Sequence, residues 1–177
     1  MQMVQEGDDK RFYNRLKLSV YRDERQIAQL IDFVCREHAQ IERWLPRAAV
    51  AGVPFDLRVV VIEAQPAQIV VRQSHKPMTN LHLGNRRGDL AAVRAASGDR
   101  WHEVMDLCTR TARLFPKCNY LGLDVLQQSG FRQPVILEAN AFGDLLPGIV
   151  DDQHRDTYSA ELESFRRKVS MAWPTVG

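Results

Sequence analysis

Apolar positions along this chain fall into short alternating runs that come in pairs. Residues 55–63 and 68–73 are rich in β-branched side chains and are joined through 64–67, which predicts an antiparallel hairpin. Residues 120–126 and 134–137 flank a turn around Gly130 and predict a second hairpin. An earlier strand is predicted over 12–21, with Leu16, Leu18 and Val20 on one face. Residues 41–45 read as a connecting strand edge that ends at Pro46. Helical spacing appears in three places. Asp23 is a suitable N-cap for a helix to about His38, in which Ile27, Leu30, Ile31, Val34 and Cys35 share one stripe. Residues 91–114 read as helix interrupted near Gly98, and 158–173 as a last helix. Residues 1–11 are polar and read as a frayed tail. Residues 74–88 form a polar loop, long enough to suggest a role in function. The expected fold is α+β: an antiparallel sheet of two hairpins with helices on one face.

Size and charge narrow the picture. A chain of 177 residues is read as one domain, with a flexible tail at 1–11 and a body at 12–177. Its net charge of +2 and scattered arginines argue against a nucleic-acid stripe. No stretch has the length of a membrane span, and the first residues lack the apolar core of a signal peptide. Cys35, Cys108 and Cys118 show no CxxC spacing and read as reduced, buried thiols, so a cytoplasmic protein is expected. His38, His75, His102 and His154 have no ligand spacing and read as surface residues.

The chemistry lies in acids placed inside runs that ought to be apolar. Asp124 interrupts one strand of the second hairpin, and Glu138-Ala139-Asn140 ends the other. Glu138 and Asn140 are two apart and point to one face, where Asp124 can meet them across the ladder. Two carboxylates and a carboxamide form a hard oxygen cluster that suits Mg²⁺ better than Zn²⁺. In the first hairpin, Asp56 and Arg58 share a strand face while Leu57 points the other way, and Arg72 closes the partner strand. Two arginines at one hairpin end can grip a triphosphate or a developing oxyanion, or can make surface salt bridges.

These residues resemble the C-terminal metal-binding strands of the ATP-grasp superfamily, nearest its ribosomal-protein-glutamate-ligase-like branch. There, an Asp on one strand and a Glu-x-Asn on the next hold Mg²⁺ against ATP phosphates. The resemblance implies that Asp124, Glu138 and Asn140 are metal ligands. Residues 55–62, FDLRVVVI, resemble the family's Asp-Ile-Arg strand. Asp56 is then expected near the ribose, and Arg58 and Arg72 near the transferring phosphoryl group. Residues 79–84, TNLHLG, resemble the family's Ser-Asn-Leu-His-Arg-Gly loop, which places Thr79 and Asn80 beside the phosphates. Leu83 stands where the family carries Arg, and Arg86 or Arg87 is a candidate to supply that charge. His82 reads as a loop-packing or phosphate-adjacent residue. Residues 41–46, IERWLP, match the family's adenine hinge at Glu42, Arg43 and Trp44, although Trp44 fits the core as well. The loop after Asn140 faces the acceptor in this family, so Phe142 and Asp144 are candidate substrate contacts, with a plain turn an equal account of Asp144.

The match covers about 12–150, with 12–50 corresponding to a remnant of the nucleotide-binding lobe, 51–150 to the metal and phosphate core, and 151–177 to the C-terminal helix. Gly7 is the only glycine before Gly52, and Lys17 has no Gly-rich loop ahead of it, so the family's phosphate-covering lobe is not seen. The expectation is therefore a C-terminal half that is truncated, split from a separate N-terminal half, or decayed. As an enzyme it would be an ATP- and Mg²⁺-dependent carboxylate–amine (or thiol) ligase acting on small-molecule or peptide substrates. The alternative is a non-catalytic nucleotide- or partner-binding remnant. An apolar surface left by a missing lobe would also favour a homo-oligomer.

Overall fold

The computed structural model describes residues 2–6, 9–13, 19–36, 39, 41–76, 86–142 and 146–172. It divides into two compact units, Met1–Trp44 and Leu45–Gly177. In the first, β1 (Gln2–Glu6) pairs antiparallel with β2 (Asp9–Tyr13), from Gln2 opposite Tyr13 to Glu6 opposite Asp9. A hairpin thus stands where the sequence predicts a frayed tail, because neighbouring segments pair at little loop-closure cost. The strand predicted over 12–21 is seen only at Phe12 and Tyr13; residues 19–23 are coil, and Leu16 and Leu18 lie outside the described residues. Helix α1 (Glu24–Cys35) starts where expected, with Asp23 Oδ1 accepting from the Gln26 amide at 2.9 Å. None of its residues is buried.

The second unit is built on a mostly antiparallel six-strand sheet. Its strands are β3 (Ala49–Val50), β4 (Val53–Ile62), β5 (Gln65–Gln73), β6 (Arg86–Arg87), β7 (Tyr120–Gln127) and β8 (Pro134–Asn140). They lie in the order β6-β5-β4-β7-β8, with β3 also paired to β4. Both predicted hairpins are present and join through β4 and β7, Leu57 opposite Val125 and Arg58 opposite Asp124. The β4–β5 turn is tighter than expected. Glu63 and Ala64, both at positive φ (52° and 60°), make a two-residue turn, so β5 starts at Gln65 and includes Pro66. The predicted strand at 41–45 is coil; Ile41 and Trp44 are exposed, and pairing begins only with a bridge from Arg47 to Gln128. The 74–88 loop ends in β6, which pairs with β5.

Three helices pack on this sheet, and they do not share a face as the sequence predicts. Leu57, Val59 and Val61 of β4 point toward α2 (Leu90–Ser97) and α3 (Trp101–Arg113), packing with Val93, Val104, Cys108 and Ala112. Val60 and Ile62 point the other way, to Val70, Leu146 and Ala160 of α4 (Thr157–Ala172). The unbroken run Val59-Val60-Val61-Ile62 requires this: at that end both faces of β4 are apolar, and both must be covered. At Gly98 (φ 53°) the helical stretch breaks, as predicted, into α2, a single 3₁₀ turn (Gly98–Arg100) and α3. Of the cysteines only Cys108 is fully buried; Cys35 is exposed and Cys118 half-buried. Burial pushes the Cys108 thiol up to about 12. No helix among the described residues is long and apolar enough to cross a membrane.

Candidate functional site

On the α4 side of the sheet, β4 changes character along its length. Val60 and Ile62 are apolar, whereas Arg58 and Asp56, two and four residues back from Val60 toward the strand start, continue the same face as charges. Register carries this charged patch across four strands: Asp56 lies opposite Arg72 of β5, Arg58 opposite Asp124 of β7, and Asp124 opposite Glu138 of β8. Asn140 lies opposite Gly122 on the same face. The structure therefore brings together Asp56, Arg58, Arg72, Asp124, Glu138 and Asn140, six of the residues singled out from the sequence.

A β-bulge makes this grouping possible. Asp124 pairs with Glu138, but the next residue, Val125, pairs with Ile136, so Leu137 is extra. Ile136 can then face the α2–α3 core beside Val125, while Glu138, of the same parity, faces Asp124.

Within the cluster, charges alternate. Arg72 Nε donates to Asp56 Oδ1 at 2.7 Å, and Arg72 Nη2 lies 3.1 Å from Asp124 Oδ2. Arg58 Nε lies 2.9 Å from Asp124 Oδ1. That last contact is an ion pair without hydrogen-bond alignment, so buried Asp124 Oδ1 and Arg58 Nε have no hydrogen bond. Asp56 is 2 % exposed, and Arg72 and Asp124 are each 9 % exposed. Burial works against the Arg72 charge, but the carboxylates of Asp56 and Asp124 and their hydrogen bonds outweigh it and hold its pKa above the ordinary guanidinium value. When the Asn140 amide is turned so that its nitrogen donates to Glu138 Oε1 at 3.2 Å, its oxygen accepts from Arg58 Nη1 at 3.2 Å. Glu138 itself is exposed.

Two contributors were not singled out from the sequence. Gly122 lies under the Arg58 guanidinium: a Cβ there would sit 3.2 Å from Nη1. A glycine inside a strand is a signal of close approach, and YLGLD carries it. Arg47 donates from Nη2 to the carbonyls of Ser74 (3.2 Å) and Lys76 (2.6 Å), fixing the exit of β5 toward 77–85. Burial holds the Arg47 guanidinium below its ordinary value, with the Asp56 charge opposing. No sequence pattern marks it, because its partners are backbone oxygens.

The remaining candidates are placed as follows. Thr79, Asn80, His82 and Leu83 lie outside the described residues, as does Asp144. Strand β6 pairs Arg87 with Arg72 and Arg86 with Gln73. Gly88 follows β6 directly; a Cβ on it would come within 2.6 Å of Val71 Cγ1. Arg87 is not a free loop tip, because both its Nη atoms donate to the Pro147 carbonyl at 3.3 Å. Phe142, 85 % exposed, follows β8 directly. Glu42, Arg43 and Trp44 are exposed coil of the first unit, and at 63 % exposure Trp44 is not a core residue.

The donor set of Asp124, Glu138 and Asn140 fits a hard divalent cation by type, and the buried Asp124 Oδ1 has no hydrogen bond to lose. Among the described residues no three His, Cys, Asp or Glu side chains converge on one point. A cation here would rest on two carboxylates and a carboxamide, with further oxygens brought by solvent or ligand. Comparison of the sequence with protein-family models and with curated proteins finds no match. The resemblance to ATP-grasp enzymes therefore rests on the sequence motifs alone.

Proposed function

We propose that this chain is the metal- and phosphate-binding half of an ATP-dependent carboxylate–amine (or thiol) ligase of ATP-grasp type, a cytoplasmic enzyme acting on small-molecule or peptide substrates. The observation that carries the reading is the convergence of two arginines, three carboxylates and Asn140 on one sheet face, in the registers Asp56–Arg72, Arg58–Asp124 and Asp124–Glu138. In this reading Asp124, Glu138 and Asn140 hold Mg²⁺, which when bound screens the phosphate charges during transfer. Arg58 and Arg72, both charged and preorganised by their carboxylates, stabilise the negative charge that develops on the transferring group. Asn80 and Thr79 are assigned to the phosphates and Asp56 to the ribose. Phe142 and Asp144 are assigned to the acceptor. A substrate carboxylate oxygen bonds to the γ-phosphorus, the bond from that phosphorus to the bridging oxygen breaks, and ADP leaves. The amine then bonds to the acyl carbon of the acylphosphate, phosphate leaves, and the amine gives up a proton.

A second reading is favoured by one observation: both Asp124 oxygens lie within ion-pair distance of arginines, so the cluster largely neutralises itself. On that reading the patch is a structural ion-pair network in a non-catalytic binding module. Calorimetric titration of a non-hydrolysable ATP analogue with Mg²⁺ separates the two. The ligase reading expects metal-dependent binding that Glu138→Ala abolishes without altering the fold, since Glu138 is exposed. Binding that is indifferent to Mg²⁺ or to Glu138→Ala would defeat the metal assignment. The absence of binding by either protein would favour the second reading.

A further inference from the structure

The oxygens assigned above to a cation are held within the chain, and one side chain holds two of them. Arg58 Nε lies 2.9 Å from Asp124 Oδ1. With the Asn140 amide oriented as described, Arg58 Nη1 donates to its oxygen at 3.2 Å, and its nitrogen donates to Glu138 Oε1 at 3.2 Å. Asp124, Asn140 and Glu138 are thus tied together through one guanidinium. The backbone makes room for it. Gly122 lies opposite Asn140, and a Cβ on it would stand 3.2 Å from Nη1 and 3.9 Å from Arg58 Cδ. The arginine lies against a strand position that carries no side chain.

The hold is loose at its charged end. Asp124 Oδ1 and Arg58 Nε are buried without a hydrogen bond, so their contact is one of charge alone. Release does not strand Asp124, whose other oxygen lies 3.1 Å from Arg72 Nη2. Nor is Arg58 locked in: its side chain is 15 % exposed, and Glu138 beside it faces solvent. A guanidinium and a divalent ion cannot share Asp124 Oδ1 and the Asn140 oxygen, because like charges a few ångströms apart repel. Resting on the metal reading above, we propose that Arg58 is the cation's internal competitor: it releases Asp124 Oδ1 and the Asn140 oxygen when a divalent ion takes them. The freed guanidinium stays charged and can meet an anion, which adds a metal-linked step to its role at the transferring group. The self-neutralised network and the cation site are then two arrangements of the same residues.

Mn²⁺, read directly by electron paramagnetic resonance, is the probe, because oxygen donors that suit Mg²⁺ suit it too. It is titrated alone to about 10 mM into the full chain, Arg58→Gln and Gly122→Ala, with circular dichroism confirming each fold. Arg58→Gln removes the competitor and is expected to bind about tenfold more tightly than wild type. Gly122→Ala keeps every charge and crowds the guanidinium at Nη1. A gain of about threefold there marks occupancy of the oxygens rather than the field of a nearby charge. Both gains should vanish when Glu138→Ala is added. If Arg58→Gln does not fold, Gly122→Ala decides alone. Arg58→Gln that binds no more tightly than wild type, with both sensitive to Glu138→Ala, overturns the competition and leaves the metal reading standing. So does a gain in Arg58→Gln that Gly122→Ala does not share. Failure of all three chains to bind Mn²⁺, or binding indifferent to Glu138→Ala, overturns the metal reading and this inference with it.

Discussion

Asp124 is the shared counter-ion of two arginines that have few other anions within reach. Arg58 lies 2.9 Å from one of its oxygens and Arg72 3.1 Å from the other. Removing it leaves one guanidinium wholly without a carboxylate contact and the other with Asp56 alone. Breaking a buried pair by deleting one partner costs about 3–5 kcal/mol, chiefly because a charge stays behind unpaired. Asp124→Ala is therefore expected to lower unfolding free energy by about that amount in urea titration. Glu138→Ala, at an exposed position, is expected to stay within about 1 kcal/mol of wild type. Equal losses in the two variants would mean that the cluster is not organised around Asp124. This contrast also decides which variant can report on binding: a nucleotide titration of Asp124→Ala would confound a lost ligand with a damaged fold. Much of the cluster was legible in the sequence, because a charged or amide side chain inside an apolar strand is visible as a break in pattern. Asp56, Arg58, Arg72, Asp124, Glu138 and Asn140 all carry that mark. Arg47 does not, because an arginine bonded to backbone carbonyls leaves no paired residue type to find.

At the scale of elements, β8 and α4 show where pattern reading fails and why. Period-two reasoning puts Ile136 and Glu138 on one face, yet they lie on opposite faces, because the bulge at Leu137 resets the alternation. In α4 the apolar side chains Tyr158, Leu162, Phe165 and Val169 stay exposed. The sheet instead receives Thr157, Ala160 and Ser164, because polar bonds rather than apolar mass position this helix. Arg167 Nη2 donates to Glu63 Oε2 at 2.7 Å, Ser164 Oγ donates to Asn119 Oδ1 at 3.2 Å, and Arg155 joins Asp151 to Glu163. Such a clamp depends on pH. The hydrogen bond from Arg167 holds the Glu63 carboxyl below its usual range, burial opposing it. Burial acts to raise Asp151, but hydrogen bonds from Arg155 and Gln153 outweigh it and hold that carboxyl low as well. Both groups are depressed in the folded state. Their stabilisation is thus complete above the unfolded values of ~4 and is lost as pH falls through the lowered folded ones. Melting temperature is expected to drop on acidification below about pH 4. The drop should be shallower in Glu63→Gln/Asp151→Asn; an identical acid profile in that variant would show that the clamp does not titrate as described.

At the scale of the whole molecule, the second unit has a core of its own. Every buried apolar side chain among the described residues lies between Ala48 and Ala160, and the two core clusters are both built on the six-strand sheet. Helix α1 contributes no buried residue, and its Leu30 and Ile31 are 37 and 38 % exposed. A fully buried Val, Leu or Phe stabilises by about 1.5–3 kcal/mol relative to exposure, so a unit with Phe55, Leu57, Val59, Val60, Leu123 and Val125 at 0 % has the material to fold by itself. The boundary is favourable too: residues 41–46 are coil without strand pairing, and Arg47 is the first residue to bridge to the sheet. A fragment of residues 45–177 is therefore expected to unfold in a single cooperative transition. Its melting temperature should lie within about 5 °C of the full chain, the shift that roughly 1 kcal/mol produces in a domain of this size. Calorimetry of both proteins measures this directly. A fragment that shows no transition would mean that residues 1–44 supply part of the core, and the division at Trp44 would have to be abandoned. A fragment that melts as the full chain does would place the charged cluster, its bulged strand and α4 together on one independently folding body.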